Sequence, residues 1–339
     1  MYATSTPQPL PRDCLFRLRD LFVAALAVAF TAVGVASPAA AVSDNGRCRM
    51  PSGRFEQLAV PSSMGEVVVQ VRWARRCGSS AIYMLDGLRA RGDANGWVAE
   101  TDALELFTDS DVTLVMPVGG PGSWYADWLQ PVLDRGRSRV YRWETFLTSE
   151  LPQFLADYGV SPTRNAVVGL SMSASSAITL AAHHRTQFLA AAAFSGALDW
   201  HTAEMQEAIR VATWHAGHHL DHLAVPGTPA WDRLDPYTCA PLLAGLPLYI
   251  AAAPGIPSAD DGIDSVQAVG TLVSAMGLEA VTATATHRFR ARLDSLGIPA
   301  TYSFPPVGVH NWRAWGAELA RARPFLLAAL TEGGMPSDE

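Results

Sequence analysis

Ala166-Val167-Val168-Gly169-Leu170-Ser171-Met172-Ser173-Ala174 is the stretch on which the fold turns. A short apolar run leads in, and an Ala-rich segment with helical spacing, 174–184, leads out. Between them lies Gly-x-Ser-x-small. A serine presented on a sharp strand-to-helix turn needs small neighbours, because the backbone there is strained and strand and helix pass close together. Ser171 is therefore the candidate nucleophile, although Ser173 fills a position where the motif has Gly.

Outward from this turn the chain alternates. Runs of β-branched and apolar residues predict strands at 67–71, 81–85, 112–117, 166–168, 248–252 and 301–304. Helical spacing predicts helices over 143–158, 174–184, 266–277, 288–296 and 312–330. From Ala81 onward strands and helices take turns, which predicts an α/β fold with a mostly parallel central sheet flanked by helices. Residues 197–240 break the rhythm with Trp, His, Pro and Gly and are expected as a cap-like insertion. One domain over 55–332 is expected, after a polar lead-in at 42–54 and before a short tail at 333–339.

A serine nucleophile needs a base, and the base an orienting acid. In α/β-hydrolases the order is Ser, acid, His. His310 is the one histidine beyond the last expected strand, in the turn-rich loop Phe304-Pro305-Pro306-Val307-Gly308-Val309-His310-Asn311-Trp312. Asp235, Asp260, Asp261, Asp264 and Glu279 are all candidates for the acid, and spacing does not choose among them. Met84-Leu85-Asp86-Gly87-Leu88-Arg89 closes an early strand where this fold supplies one oxyanion amide, the residue after the nucleophile supplying the other. The backbone N–H groups of Leu88 and Met172 are the expected pair. Asp86 and Arg89 either touch substrate or form an ordinary solvated ion pair.

The 339 residues carry a formal charge of −7 and are 49% apolar, which suits a sizeable core and argues against a dedicated nucleic-acid binder. All 25 basic residues are Arg. The lack of lysine removes Schiff-base chemistry, a Walker-A lysine and Ser-Lys hydrolysis. Arg12, Arg17 and Arg19, an apolar stretch at 21–35 and small residues at 37–41 read as a secretory signal peptide over 1–41. A secreted protein of the cell envelope or outside it follows, without a membrane span after cleavage. Cys48, Cys77 and Cys239 then remain, and Cys48–Cys77 is the expected disulfide, closing a loop of about thirty residues and contributing roughly 3 kcal/mol. His215, His219 and His222 recur at i, i+4, i+7, with His218 beside them, yet no zincin glutamate accompanies them. No metal and no cofactor are expected. Trp124, Trp128 and Trp143 read as core and groove wall.

At these residues the chain resembles the antigen 85 mycolyltransferases, secreted acyltransferases of mycolic-acid-bearing actinobacteria, from about residue 55 to 330. The resemblance rests on Leu85-Asp86-Gly87-Leu88-Arg89-Ala90 with Asn95-Gly96-Trp97, and on Met116-Pro117-Val118-Gly119-Gly120. It continues through Tyr125-Ala126-Asp127-Trp128, Trp143-Glu144-Thr145-Phe146-Leu147-Thr148 and Gly169-Leu170-Ser171-Met172-Ser173, where the family shares the serine at the last position. The family's acid segment maps onto Leu278-Glu279 followed by Phe289-Arg290, so the resemblance implies Glu279 as the acid. It further implies transfer of a mycolyl group from trehalose monomycolate through Ser171 to a second trehalose monomycolate or to cell-wall arabinogalactan. Sugar contacts are implied at Asp86, Arg89, Asp199, Asn311 and Trp312. Val281, Thr282 and the residues to Thr284 would flank the acyl or sugar groove. Asp199 stands where the family usually has Asn and Asn311 where it has Ser, which bears on acceptor preference. The stretch 201–226 matches poorly, and the family's fibronectin-binding segment matches only weakly near 103–113, so that property is not expected. The rival readings are a secreted carboxylesterase using the same triad with water, and a non-catalytic surface adhesin.

Overall fold

The computed structural model describes residues 51–134, 136–261 and 266–332, all within one unit, Ala40–Glu339. The expected signal peptide, most of the lead-in with Cys48, and the tail lie outside the described residues. The strands are β1 (Phe55–Val60), β2 (Val67–Arg72), β3 (Ala81–Met84), β4 (Thr113–Pro117), β5 (Val132–Asp134), β6 (Arg137–Arg139), β7 (Asn165–Leu170), β8 (Phe188–Phe194), β9 (Leu248–Ala251) and β10 (Thr301–Ser303). Eight of them form one sheet in the order β1-β2-β4-β3-β7-β8-β9-β10, and β5 and β6 pair separately. β1–β2 and β2–β4 are antiparallel, and every pair from β4 to β10 is parallel. This is an α/β-hydrolase fold with a mostly parallel sheet.

Short helices α1 (Gly96–Ala99), α2 (Ala103–Leu106) and α3 (Trp143–Thr145) lead into a π-helical turn, Phe146–Glu150, and α4 (Leu151–Ala156). α5 (Met172–His183) follows β7 directly. Between β8 and β9 come α6 (Ala203–His215), α7 (Leu220–Leu223), α8 (Pro229–Leu234) and α9 (Pro236–Cys239); α10 (Val266–Ser295) and α11 (Trp312–Glu332) complete the set. Strand alternation divides the core. Ala166, Val168 and Leu170 pack on the α11 side with Leu319, Ala322 and Leu326, whereas Val167 faces the α5 side with Ala177 and Ile178.

Several elements, β1 and α6 among them, are not among those expected, and two differences bear on the sheet and the site. β8, Phe-Leu-Ala-Ala-Ala-Ala-Phe, was not foreseen as a strand, since alanine prefers helix. It is a central parallel strand flanked by β7 and β9, and at such a site packing outweighs propensity. The helices expected at 266–277 and 288–296 are one continuous helix, α10. Thr282, Thr286 and Val281 lower helix propensity between them, but Thr282, Ala285, Thr286 and Phe289 are buried along the inner face and hold the helix through.

Candidate active site

Ser171 sits at φ 51°, ψ −120°, between the end of β7 and the start of α5. A non-glycine residue held there costs of order 1–3 kcal/mol, and the surroundings must over-determine it. They do. The Ser171 N–H donates to Phe194 O at 2.9 Å. Ser173 Oγ accepts the Leu170 N–H at 2.9 Å and lies 3.0 Å from Leu170 O, so the serine in the motif's last position ties strand end to helix start. A Cβ on Gly169 would come within 2.0 Å of the Ser173 carbonyl oxygen, which is why the turn needs glycine.

The loop between β10 and α11 brings His310 to this serine. His310 Nε2 is 2.8 Å from Ser171 Oγ, and Nδ1 is 2.8 Å from Glu279 Oε2. With the Nδ1 proton on the carboxylate side, Nε2 is left to accept the serine proton. Trp315 packs edge-on against the imidazole, with ring centroids 4.8 Å apart, and limits its rotation. The other Glu279 oxygen accepts from the Ser195 hydroxyl at 2.7 Å and from the Ala253 N–H at 2.8 Å. Trp315 Nε1 in turn donates to Ser195 Oγ at 3.1 Å. Sequence reasoning missed Ser195. Its one signal was a second serine-glycine corner, Ser195-Gly196, at the end of β8, and Ser195 itself has φ 51°.

Of the other acid candidates, Asp235 caps α9 and accepts the Trp200 N–H at 2.9 Å. Asp260 and Asp261 pair with Arg313, and Asp264 lies outside the described residues. A cavity of about 260 Å³ lies beside Glu279, lined in part by Ser195, Val307, Arg313 and Trp315.

The loop after β3 is clamped from below. Asp86 is buried, and its carboxylate accepts the Gly87 N–H and the Gly96 N–H, each at 2.7 Å. Burial pushes this carboxyl up from its ordinary range, against those two bonds. The Asp86 N–H donates to Tyr125 Oη at 3.0 Å, and Trp97 Nε1 donates to Leu85 O at 2.9 Å. The Asn95-Gly96-Trp97 motif is thus the lower half of the same loop. Among the described residues Asp86 and Arg89 form no ion pair; Arg89 is exposed on the loop. Met172 N–H belongs to the first helical position, where no intrahelical acceptor exists. Its side chain is fixed as well, for Met172 Sδ accepts the Trp124 N–H at 3.4 Å.

The remaining expected contacts are scattered in role. Asp199 is buried, with Arg288 Nη1 at 3.3 Å and His201 Nδ1 at 2.5 Å. Asn311 accepts the Ala314 N–H at the start of α11 and donates to Asp261 at 3.1 Å. Trp312 packs edge-on against Trp97, where a Cβ on Gly96 would strike its ring. Val281 is exposed on α10, and Thr282 is buried and donates to Glu279 O at 3.0 Å. The shared face expected for His215, His219 and His222 is broken: α6 ends at His215, and Gly217 turns the chain at φ 87°. His215 and His222 each meet a backbone carbonyl instead. Cys77 is disulfide-bonded, while Cys239 carries a buried free thiol that burial pushes up to about 12.

A family model described as putative esterase matches residues 62–326. Over 306 residues the chain is 39% identical to the diacylglycerol acyltransferase/mycolyltransferase Ag85B of Mycobacterium intracellulare, covering 88% of this chain and 89% of that one. It is 38% identical over 319 residues to Ag85A of Mycobacterium tuberculosis, covering 92% of each. Among solved structures, Mycobacterium tuberculosis MPT51 aligns with a TM-score of 0.70 at 25% identity, over 82% of this chain and 100% of that one. An S-formylglutathione hydrolase from Agrobacterium tumefaciens aligns at 0.58 and 15% identity, over 85% and 99%, a likeness of fold alone.

Proposed function

This chain belongs to the Ag85 family of diacylglycerol acyltransferases/mycolyltransferases, within the putative esterases, and on that footing we propose that it moves a mycolyl group through an acyl-serine on Ser171. The observation that carries the residue assignment is the run of contacts from Ser171 through His310 to Glu279, at 2.8 Å and 2.8 Å. Ser171 Oγ attacks the ester carbonyl of trehalose monomycolate as its proton passes to His310 Nε2. The N–H groups of Leu88 and Met172 receive the oxyanion. Collapse breaks the bond to the trehalose oxygen, which leaves with the proton from His310. His310 then takes the proton of an incoming sugar hydroxyl as its oxygen attacks the acyl carbonyl; collapse breaks the bond to Ser171 Oγ, to which His310 returns the proton. Glu279 stabilises the imidazolium formed in each half.

A second trehalose monomycolate and cell-wall arabinogalactan are the proposed acceptors. Arg89, exposed on the oxyanion loop, offers a fork of donors to sugar hydroxyls, with Asp86 holding the loop from beneath and Asp199, Asn311 and Trp312 as further sugar-side positions. Val281 and Thr282 are the proposed groove positions, and 197–240, which carries α6 to α9 between β8 and β9, is the cap-like segment. Export by the 1–41 segment would place the enzyme in the cell envelope or outside the cell. Incubation of the purified protein with trehalose monomycolate tests the reading. Trehalose dimycolate is the expected product; free mycolic acid alone would make this a carboxylesterase, and no turnover would leave a binding protein.

A further inference from the structure

We propose that the outward face of the first half of α10 is a docking surface for lipid, which seats the enzyme on an assembly of acyl chains beside its own active site. The proposal rests on the reading above that the substrate is a lipid ester. α10 has 30 residues, about 45 Å of helix. From Val266 to Thr286 its sequence holds one ionisable residue, Glu279, and that side chain is turned inward to His310. Val269 and Val273, one turn apart, are 41% and 62% exposed, and Gly270, Gly277, Ala280 and Thr284 are exposed with them. A surface helix of a soluble domain ordinarily carries charge on its solvent face. An 18-residue window of this helix has mean hydropathy 1.3, yet only 11% of it is buried, so it is not a core helix.

Neither is it free to leave the domain and span a bilayer. It carries Glu279, its Ala275 carbonyl accepts the His310 N–H at 3.2 Å, and a Cβ on Gly255 would meet the Met276 carbonyl oxygen at 2.5 Å. The helix is pinned along the protein surface, the posture of an interfacial helix. Beyond Thr286 its chemistry changes within one turn. Arg288, Arg290 and Arg292 follow, with Arg288 on Asp199 and Arg290 on Asp294, as suits a segment that stays in water.

The apolar area continues toward the catalytic loop. Ile256 and Val307 are exposed, and Ile256 bridges to Gly308 two residues before His310. Acyl chains are the occupant this surface fits. Along α10 it offers no charge for a protein partner's rim, the exposed Asp260–Arg313 pair lying only at its catalytic end beside Val307; the whole chain is acidic at −7, and the surface borders the site proposed to handle an acyl ester. Attraction to it is therefore apolar and insensitive to salt.

The test is co-sedimentation of the purified protein with vesicles of neutral phosphatidylcholine at low and high salt, beside the double variant Val269→Glu/Val273→Glu. Wild type is expected to partition onto vesicles equally at both salts. The variant should lose roughly tenfold or more of that partition, with unchanged melting temperature and unchanged hydrolysis of a short, water-soluble nitrophenyl ester. Val273→Ser, which adds no charge, should fall between. No binding by wild type, or equal binding by wild type and the double variant, overturns the proposal. So does a wild-type dimer in light scattering that the double variant converts to monomer, since a second copy would then cover the face. Vesicle binding requires no turnover, so binding without transfer from trehalose monomycolate would count against the proposed reaction and not against the docking face.

Discussion

Glu279 with His310, and Glu144 with His184, are carboxylate–histidine pairs of nearly equal length, 2.8 and 2.7 Å. Their surroundings separate them. Glu279 and His310 are 1% and 9% exposed, and among the described residues the carboxylate meets neutral donors besides the ring. The far nitrogen of His310 faces a serine on a strained turn. Glu144 and His184 are 16% and 28% exposed, and Glu144 is shared with the Arg233 guanidinium. They line a cavity of about 490 Å³ with Asp127, Arg142 and Trp128, and the two hydroxyls in its lining are held elsewhere, Thr145 donating to Asp127 and Thr148 to the Glu144 carbonyl. A carboxylate answered by a permanent cation forms a fixed ion pair. One answered by neutral donors has no fixed cation beside it, and in the proposed mechanism it is the imidazolium of His310 that fills that place. The pairing distance does not mark the site; the third partner does.

The largest effect is expected at the nucleophile. Ser171→Ala should abolish acyl-enzyme formation with an active ester, a loss of roughly 10³-fold or more, with the fold intact. Near-normal turnover would dissolve the difference between the two pairs. Next comes a parallel exchange. Glu279→Gln should lower kcat by roughly 10²–10³-fold with little change in melting temperature. Glu144→Gln should leave kcat within about twofold while costing roughly 1–2 kcal/mol of stability. Matching kinetic losses in both variants would break the comparison.

A smaller effect should sharpen the division of labour on the oxyanion loop. Arg89→Ala is expected to lose roughly tenfold in transfer to trehalose while keeping short-ester hydrolysis, whereas Asp86→Ala, which frees the loop from Gly96, should lower both activities and the melting temperature. Equal loss of hydrolysis in both would remove Arg89 from the sugar side.

The smallest effect is one of pH. Burial pushes the Glu144 carboxyl up, but the His184 bond and the Arg233 charge together hold it below its ordinary value. A carboxyl depressed on folding adds stability above its unfolded pKa, about 4.3, and that stability is lost as pH falls through the folded value. Melting curves of wild type and Glu144→Gln, apart at pH 7, should therefore converge below about pH 4.3. Curves that stay parallel would mean the pair is not the source of the difference.

Much of the geometry of the proposed site was legible in the chain because its constraints are local. Gly169, Ser171 and the small residues around them report a strained turn that few other residues tolerate, and the turn implies the strand before it and the helix after it. The position of His310 follows from the order of elements. Glu279 is different: among five acids, spacing was silent, and family resemblance alone singled it out. The two expected helices around Glu279 were separated because β-branched residues weaken a helical pattern, while the burial that joins them is invisible in sequence.

By itself, then, the sequence determined the strand-turn-helix at Ser171, the alternating parallel architecture and the histidine loop, since each is set by neighbours in the chain. Tertiary structure alone decided that Phe188–Phe194 is a strand, that Ser195 supports Glu279 across 84 positions, and that Asp86 lies under Gly96. It also decided that an uncharged helix face is left open beside the site. The physical reason is common to all four. Each depends on what a residue meets from a distant element, and alanine, serine, aspartate and valine carry no local mark of the company they will keep once the sheet has closed around them.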